Sequence, residues 1–192
     1  MSEHALATTT VPIHRLYAVR AAAAVAWAAV LGIALTVSDS LSAADALPVF
    51  VAVVLVVYPL IDLIATFVEG RTQRHEAPSS AVPQLVNAAI SAVAAVAVAV
   101  AASHGTDAVL RVFGAWAILT GLIQLVLAIV RQRRGTVGQL PMILAGGIST
   151  LVGAGFVQSA GQDEPKLVNL AGYAVVGAIF FLISARRLSK QG

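Results

Sequence analysis

Six continuous apolar runs dominate this chain of 192 residues, at roughly 16–37, 47–68, 82–102, 108–130, 138–158 and 167–185. Each comes close to the ~20 residues at 1.5 Å rise that a helix needs to cross ~30 Å of hydrocarbon. A strand reading fails for the same stretches, because none alternates apolar and polar positions. Helices satisfy their own backbone hydrogen bonds, which lipid cannot do for them. The expected fold class is therefore all-α: a polytopic membrane protein with six transmembrane helices arranged as three antiparallel hairpins. Composition agrees, since 59% hydrophobic and 11% charged residues are too apolar a mixture for a soluble domain of this length.

Lysine and arginine give the orientation. Arg15, Arg20, Arg71, Arg74, Arg131, Arg133, Arg134, Arg186, Arg187 and Lys190 fall at one set of helix ends, whereas only Arg111 and Lys166 fall at the other. By the positive-inside rule both termini are expected in the cytoplasm, with the protein multi-pass in the cell (cytoplasmic) membrane. The opposite loops, "SDSLSAAD", "SHGTD" and "AGQDEP", carry acidic residues, and Asp107 is placed to pair with Arg111 one turn on. "Ala44-Asp45-Ala46" offers a small-x-small cleavage site. The run before it is about 22 residues, longer than the 7–15 of a signal h-region, so the first helix is expected to be retained.

The domain plan is a flexible tail over 1–14 and one six-helix domain over 15–188, with hairpins 15–68, 82–131 and 138–187 and a cytoplasmic linker over 69–81. A period near 60 residues runs through it. "GAWAILTGLIQLVLAIVRQRR" in the fourth helix and "AGYAVVGAIFFLISARRLSK" in the sixth both run small residue, aromatic, apolar stretch with glycine, then a basic end. We read three divergent hairpin repeats.

Several function classes drop out. With no cysteine, disulfides, thiolate metal sites and a cysteine nucleophile are excluded. The net charge of +3 is split into short clusters between apolar runs, so no continuous nucleic-acid surface is expected. His4, His14, His75 and His104 show no metal-ligand spacing, and neither metal nor cofactor is expected. "SHGTD" holds the residue types of a hydrolytic triad, but one tight loop cannot set them in line, and an N-cap by Thr106 or Asp107 explains them.

The chemistry-bearing feature is "VVYPLIDLIATFVEGR", residues 56–71, with Asp62 about six residues inside an apolar helix. Charges within a span face protein, water or a partner. If the first hairpin turns near residue 42, Arg20 and Asp62 differ in height by only ~3 Å. The same count in the second hairpin sets Asn87 and Gln124 level with them. Arg20, Asp62, Asn87 and Gln124 thus form a candidate polar layer, with Thr66, Ser91 and Thr120 nearby. Its structural reading is a neutralised interior that fixes helix register; its functional reading is a relay or the floor of a hydrated cavity. Pro59, just before Asp62, predicts a kink that can open space there. In the fifth helix, "PMILAGGISTLVGAG" sets Ala145, Ser149 and Gly153 four apart, with Gly146 beside them, which predicts close helix packing. The run has neither the lysine of a phosphate loop nor the second glycine of a nucleophile elbow.

"FGAWAILTGLIQLVLAIVRQRR", "PMILAGGIS" and "AGYAVVGAIFFLISARRL", with "YPLIDLIATFVEGR", resemble the HdeD-type family of small bacterial membrane proteins, whose helical hairpins form a repeat of unknown function. The resemblance implies an inner-membrane protein, in some members linked to acid stress, and carries no catalytic residues across. The leading expectation is a structural or stress-related membrane role without enzyme activity. The alternative is a small channel or carrier whose path runs by Arg20, Asp62, Asn87 and Gln124. A third reading is a subunit that binds anionic lipid or a protein through the basic ends. Small-residue faces would also permit a homo-oligomer.

Overall fold

The computed structural model describes residues 12–38, 44–76, 78–136, 138–162 and 166–190. Six helices account for almost all of them: α1 (Ile13–Thr36), α2 (Val49–Glu76), α3 (Pro78–Ala102), α4 (Thr106–Arg133), α5 (Leu140–Ser159) and α6 (Val168–Ser189). All six are long and apolar enough to cross a membrane, and no strand occurs among the described residues. Because six crossings are an even number, α1 begins and α6 ends on the side of the basic loops.

Each helix packs on its neighbours in the chain, and α6 returns to pack on α1, so the helices form a closed ring. The helices of the three expected hairpins lie side by side, but they are not the closest pairs. Closest packing falls between the hairpins, on α4 with α5, α2 with α3 and α6 with α1. Small side chains explain the shift. A Cβ on Gly114 would stand 2.6 Å from the Gly153 carbonyl oxygen, and one on Gly146 2.7 Å from that of Gly121. In α6–α1, Ala178 packs with Ala21 and Ala24, and α3 presents Ala88, Ala94, Ala95 and Ala101. Aromatic side chains stand at two of the wider seams. Trp27 stacks on Tyr58 between α1 and α2 with centroids 4.3 Å apart, and Phe156 meets Tyr173 edge-on between α5 and α6 at 5.8 Å.

Three differences from the sequence reading concern local structure. The expected linker over 69–81 is largely helix, because α2 continues to Glu76 and α3 begins at Pro78, a residue whose fixed φ suits a first helical turn. Residues 1–11 of the expected tail lie outside the described residues, and Ile13 and His14 already belong to α1. α4 begins after Gly105 at φ 99°, with no side-chain cap from Thr106 or Asp107. Glycine supplies the left-handed turn that the expected cap would otherwise organise, and Asp107 instead faces Arg111 at 3.4 Å.

The ring is filled unevenly. Towards the acidic loops, Leu31, Val51, Leu55, Val98, Leu110 and Leu170 are fully buried. At mid-height Trp27, Tyr58, Phe113, Trp116 and Tyr173 pack across the axis, with Tyr58 against the other four. The basic half is packed less completely: Tyr17, Ala128, Met142 and Ala185 form a small cluster there, and space is left beside them.

Candidate functional site: a charged chamber inside the ring

The unfilled space is a cavity of about 110 Å³ to which all six helices contribute. It extends from the aromatic layer to Arg131, in the last turn of α4. Its α1–α3 side is charged, for reasons that start with register. Asp62 and Glu69 are seven residues apart on α2 and so share a face. Arg20 comes from α1 at the same height and lies between them. It is ion-paired and hydrogen-bonded to Asp62 Oδ1, and its second amino group stands 3.6 Å from Glu69 Oε2. The guanidinium also sits 4.3 Å from the centroid of the Phe181 ring of α6, a cation–π contact.

The remaining lone pairs of the two carboxylates are occupied by neighbours. Asn87 Nδ2 donates to Asp62 Oδ2 at 3.2 Å and the Ser91 hydroxyl at 2.6 Å, while the Trp116 indole N–H donates to Ser91 Oγ at 3.0 Å. The Tyr17 hydroxyl and Gln84 Nε2 donate to Glu69 Oε1 at 3.1 and 2.7 Å. Four helices are therefore cross-linked through two acids. Of the candidate layer, Arg20, Asp62, Asn87 and Ser91 are brought together. Thr66 and Thr120 line the cavity but bond back to their own helices, at the carbonyls of Asp62 and Trp116. Gln124 is not in the network; its amide reaches the Met142 carbonyl of α5 at 3.3 Å from across the cavity.

Of the packing set, Gly146 and Gly153 lie against α4, and the Ser149 hydroxyl donates to the Ala117 carbonyl at 2.9 Å, leaving Tyr173 to donate to Ser149 Oγ at 2.8 Å. Ala145 turns into the cavity wall. Sequence reasoning misses Glu69, Tyr17, Gln84, Tyr58, Trp116 and Tyr173. Glu69 and Tyr17 lie within reach of the height count that pairs Arg20 with Asp62, but Glu69 falls in the expected linker because a glycine and an arginine follow it.

Among the described residues that line the chamber, one polar atom stands apart. Asn87 is 6% exposed, and its Oδ1 has no hydrogen-bond partner. Because Nδ2 is committed to Asp62, the amide cannot turn to satisfy the oxygen without losing that bond. In the "SHGTD" loop no triad is assembled: Ser103 and the His104 ring both turn to the Val100 carbonyl, and Asp107 turns to Arg111. No cluster of three or more metal-ligating side chains occurs among the described residues.

The fold and site define a class: a multi-pass membrane protein built as a helical ring around an internal charged chamber. Within it, residues 86–157 match a family model described as a short repeat of unknown function (DUF308). The matched segment runs from α3, which contributes Asn87 and Ser91, through α4 to Val157 of α5, and so includes the glycine-packed pair. No curated protein and no solved structure matches the chain.

Proposed function

We propose that the protein is a non-enzymatic binding protein of the cytoplasmic membrane, with both termini in the cytoplasm, whose chamber takes up a small polar group in the manner of a carrier or half-channel. The observation that carries this reading is the position of the charges: the Arg20–Asp62–Glu69 network borders a cavity instead of lying in a packed seam. A purely structural ion network loses strength next to water and gains nothing from a void. The lysine and arginine asymmetry supports the orientation. The packed acidic half and the aromatic layer support a chamber closed on that side.

Because the chain has no cysteine, single cysteines test the reading directly. Thr120→Cys and Gln124→Cys should react with a small charged thiol reagent added on the basic side of reconstituted vesicles, and Leu31→Cys, fully buried in the packed half, should not. Failure of both chamber cysteines to react from either side would overturn the reading.

A second reading, a structural and stress-related role like that implied by the HdeD-type resemblance, is favoured by the saturation of Asp62. Its two oxygens already take three donors from three other residues. On that reading the network holds α1, α2 and α3 in register and the chamber is a by-product.

A further inference from the structure

We propose that the chamber binds the head of a single-chain amphiphile, neutral and hydroxyl-bearing, which enters sideways from the bilayer between α5 and α6. The proposal rests on the chamber being a binding site and names its ligand and entrance.

The route follows from the unequal walls. On the α1–α3 side Tyr17, Glu69, Gln84 and Asn87 are buried. On the α5–α6 side Ala145, Ile148, Gly177 and Phe180 are partly exposed, and Val176 is 39% exposed while still lining the cavity. Val176 thus carries the chamber wall out to the exposed surface there, and we place the entrance at this point. Of the ring's six seams, α5–α6 is the least closely packed. Ser149 and Tyr173 join it by a side-chain hydrogen bond, and a Cβ on Gly172 would meet nothing within 4 Å. This wall is also the apolar one, with Met142, Ile148, Val176 and Phe180 facing the charged wall opposite. A polar wall and an apolar, laterally open one suit a molecule that has both parts.

The head group follows from size, charge and hydrogen bonding. A cavity of about 110 Å³ is smaller than the ~150 Å³ that accommodates benzene, so the head can have only a few heavy atoms. That excludes a whole phospholipid head. Arg20 and Arg131 against Asp62 and Glu69 leave the charged lining formally balanced, which favours a neutral head over an ammonium or a carboxylate. Asn87, which lines the chamber, carries an unpartnered acceptor in Oδ1, which favours a head that donates, and an O–H does so without bringing a charge.

Both tryptophans lie near the chamber, and Trp116 lines it. In a Trp27→Phe background, Trp116 fluorescence is followed in vesicles of phosphatidylethanolamine and phosphatidylglycerol as a monoacylglycerol brominated on its chain is added. Brominated fatty acid and alkylammonium of equal chain length serve as charged controls. Saturable quenching by the monoacylglycerol is expected, with the charged probes quenching only in proportion to their bilayer concentration. Gly177→Leu and Ala145→Leu, which fill the entrance, should each abolish saturation; a Cβ at Gly177 meets only Tyr58 Oη, at 3.9 Å. Asn87→Leu should weaken binding roughly ten-fold. Gly147→Leu, on α5 but away from the chamber lining, where an added Cβ would meet nothing within 4 Å, should change nothing. Linear quenching by all three probes, or saturation unaffected by both entrance variants, would overturn the proposal, as would saturation by a charged probe in place of the monoacylglycerol. The cysteine labelling separates the two failures: a reactive Thr120→Cys with linear quenching rejects the amphiphile and leaves the binding chamber standing, whereas unreactive chamber cysteines together with linear quenching reject both.

Discussion

Helix α5 meets α4 through one face and α6 through another, and the two seams differ in almost every respect. Against α4, Gly146 and Gly153 face Gly121 and Gly114 two turns apart on each helix, so the backbones touch and no side chain separates them. Against α6, the contact is made by Phe156 with Tyr173 and by Ser149 with the Tyr173 hydroxyl, and space remains. In lipid, helix association draws on van der Waals packing and hydrogen bonds, since tails are as apolar as leucine. Contact area therefore decides which seam holds and which can part. One helix, glycine-lined on one face and bearing Phe156 and Ser149 on the other, thus holds one neighbour tightly and the other loosely.

The largest effect should come from filling the fixed seam. A Cβ at Gly146 would stand 2.6 Å from the Leu125 amide nitrogen, which belongs to backbone and cannot swing aside, whereas one at the adjacent Gly147 would meet nothing within 4 Å. Gly146→Leu should yield no monodisperse protein in size-exclusion chromatography, and Gly147→Leu should elute as wild type. Normal elution of the Gly146 variant would mean that the α4–α5 seam is as yielding as its neighbour.

Next in size is the charged wall. Arg20→Gln leaves the buried Glu69 and the part-buried Asp62 without the cation between them, while Asp62→Asn leaves Arg20 with Glu69 still 3.6 Å away. Breaking a buried pair by removing one partner typically costs about 3–5 kcal/mol, so Arg20→Gln should approach the upper figure and Asp62→Asn fall below it. The double variant should recover only part of the loss, because Glu69 still lacks the Arg20 guanidinium. Adding Glu69→Gln should recover more. Thermal unfolding in detergent at neutral pH reads this cycle. Equal single costs with full recovery in the double variant would show that Glu69 is not coupled to the pair, and the network would shrink to one ion pair.

The two seams are not equally legible in the sequence. Six spans, their alternation and the level of Arg20 with Asp62 follow from apolar length and 1.5 Å rise, which are properties of single helices. Gly146, Ser149 and Gly153 announce a packing face because small residues repeat along one helix. Their counterparts Gly114 and Gly121 stand seven apart, two turns instead of one, and look in the sequence like part of a repeat signature. The closing of α6 on α1 leaves no local mark, since the alanines that allow it are spread over the first and last helices of the chain. Nor does the cavity, which is a property of six helices together. Tyr58, Trp116 and Tyr173 each read as ordinary apolar-helix aromatics until they meet on the axis. Glu69 is legible in part: seven residues after Asp62, it takes the same face one layer lower.

A smaller effect tests how the charged wall is anchored to α4. Trp116 donates its indole N–H to Ser91 Oγ, whose own proton goes to Asp62, so the chain of donors runs from α4 through α3 to α2. Trp116→Phe keeps a ring against Phe113, whose own ring stands 5.5 Å from the present one, and removes the donor together with the extra ring atoms of the indole. A loss of about 2 kcal/mol is expected, one hydrogen bond plus the small cavity left behind, in the same unfolding assay. A loss several times larger would mean that Trp116 holds the aromatic layer in place by shape.

The smallest effect should fall at the looser seam, and its sign carries the information. Gly172 lies on the helical face of α6 beside the open groove shared with α1 and α5, where an added methyl would meet nothing within 4 Å and no positive φ has to be preserved. Glycine inside a helix is less favourable than alanine by up to about 1 kcal/mol, through the backbone freedom it loses on folding. Gly172→Ala should therefore be neutral or slightly stabilising, while Gly114→Ala, whose methyl would stand 2.6 Å from the Gly153 carbonyl oxygen, should be destabilising. The same chemical change would then have opposite signs on two faces of one ring, which no helix propensity can produce. If both variants were destabilising, α6 would have to close on α5 more tightly in the membrane than its open flank suggests, and the lateral entrance would close with it.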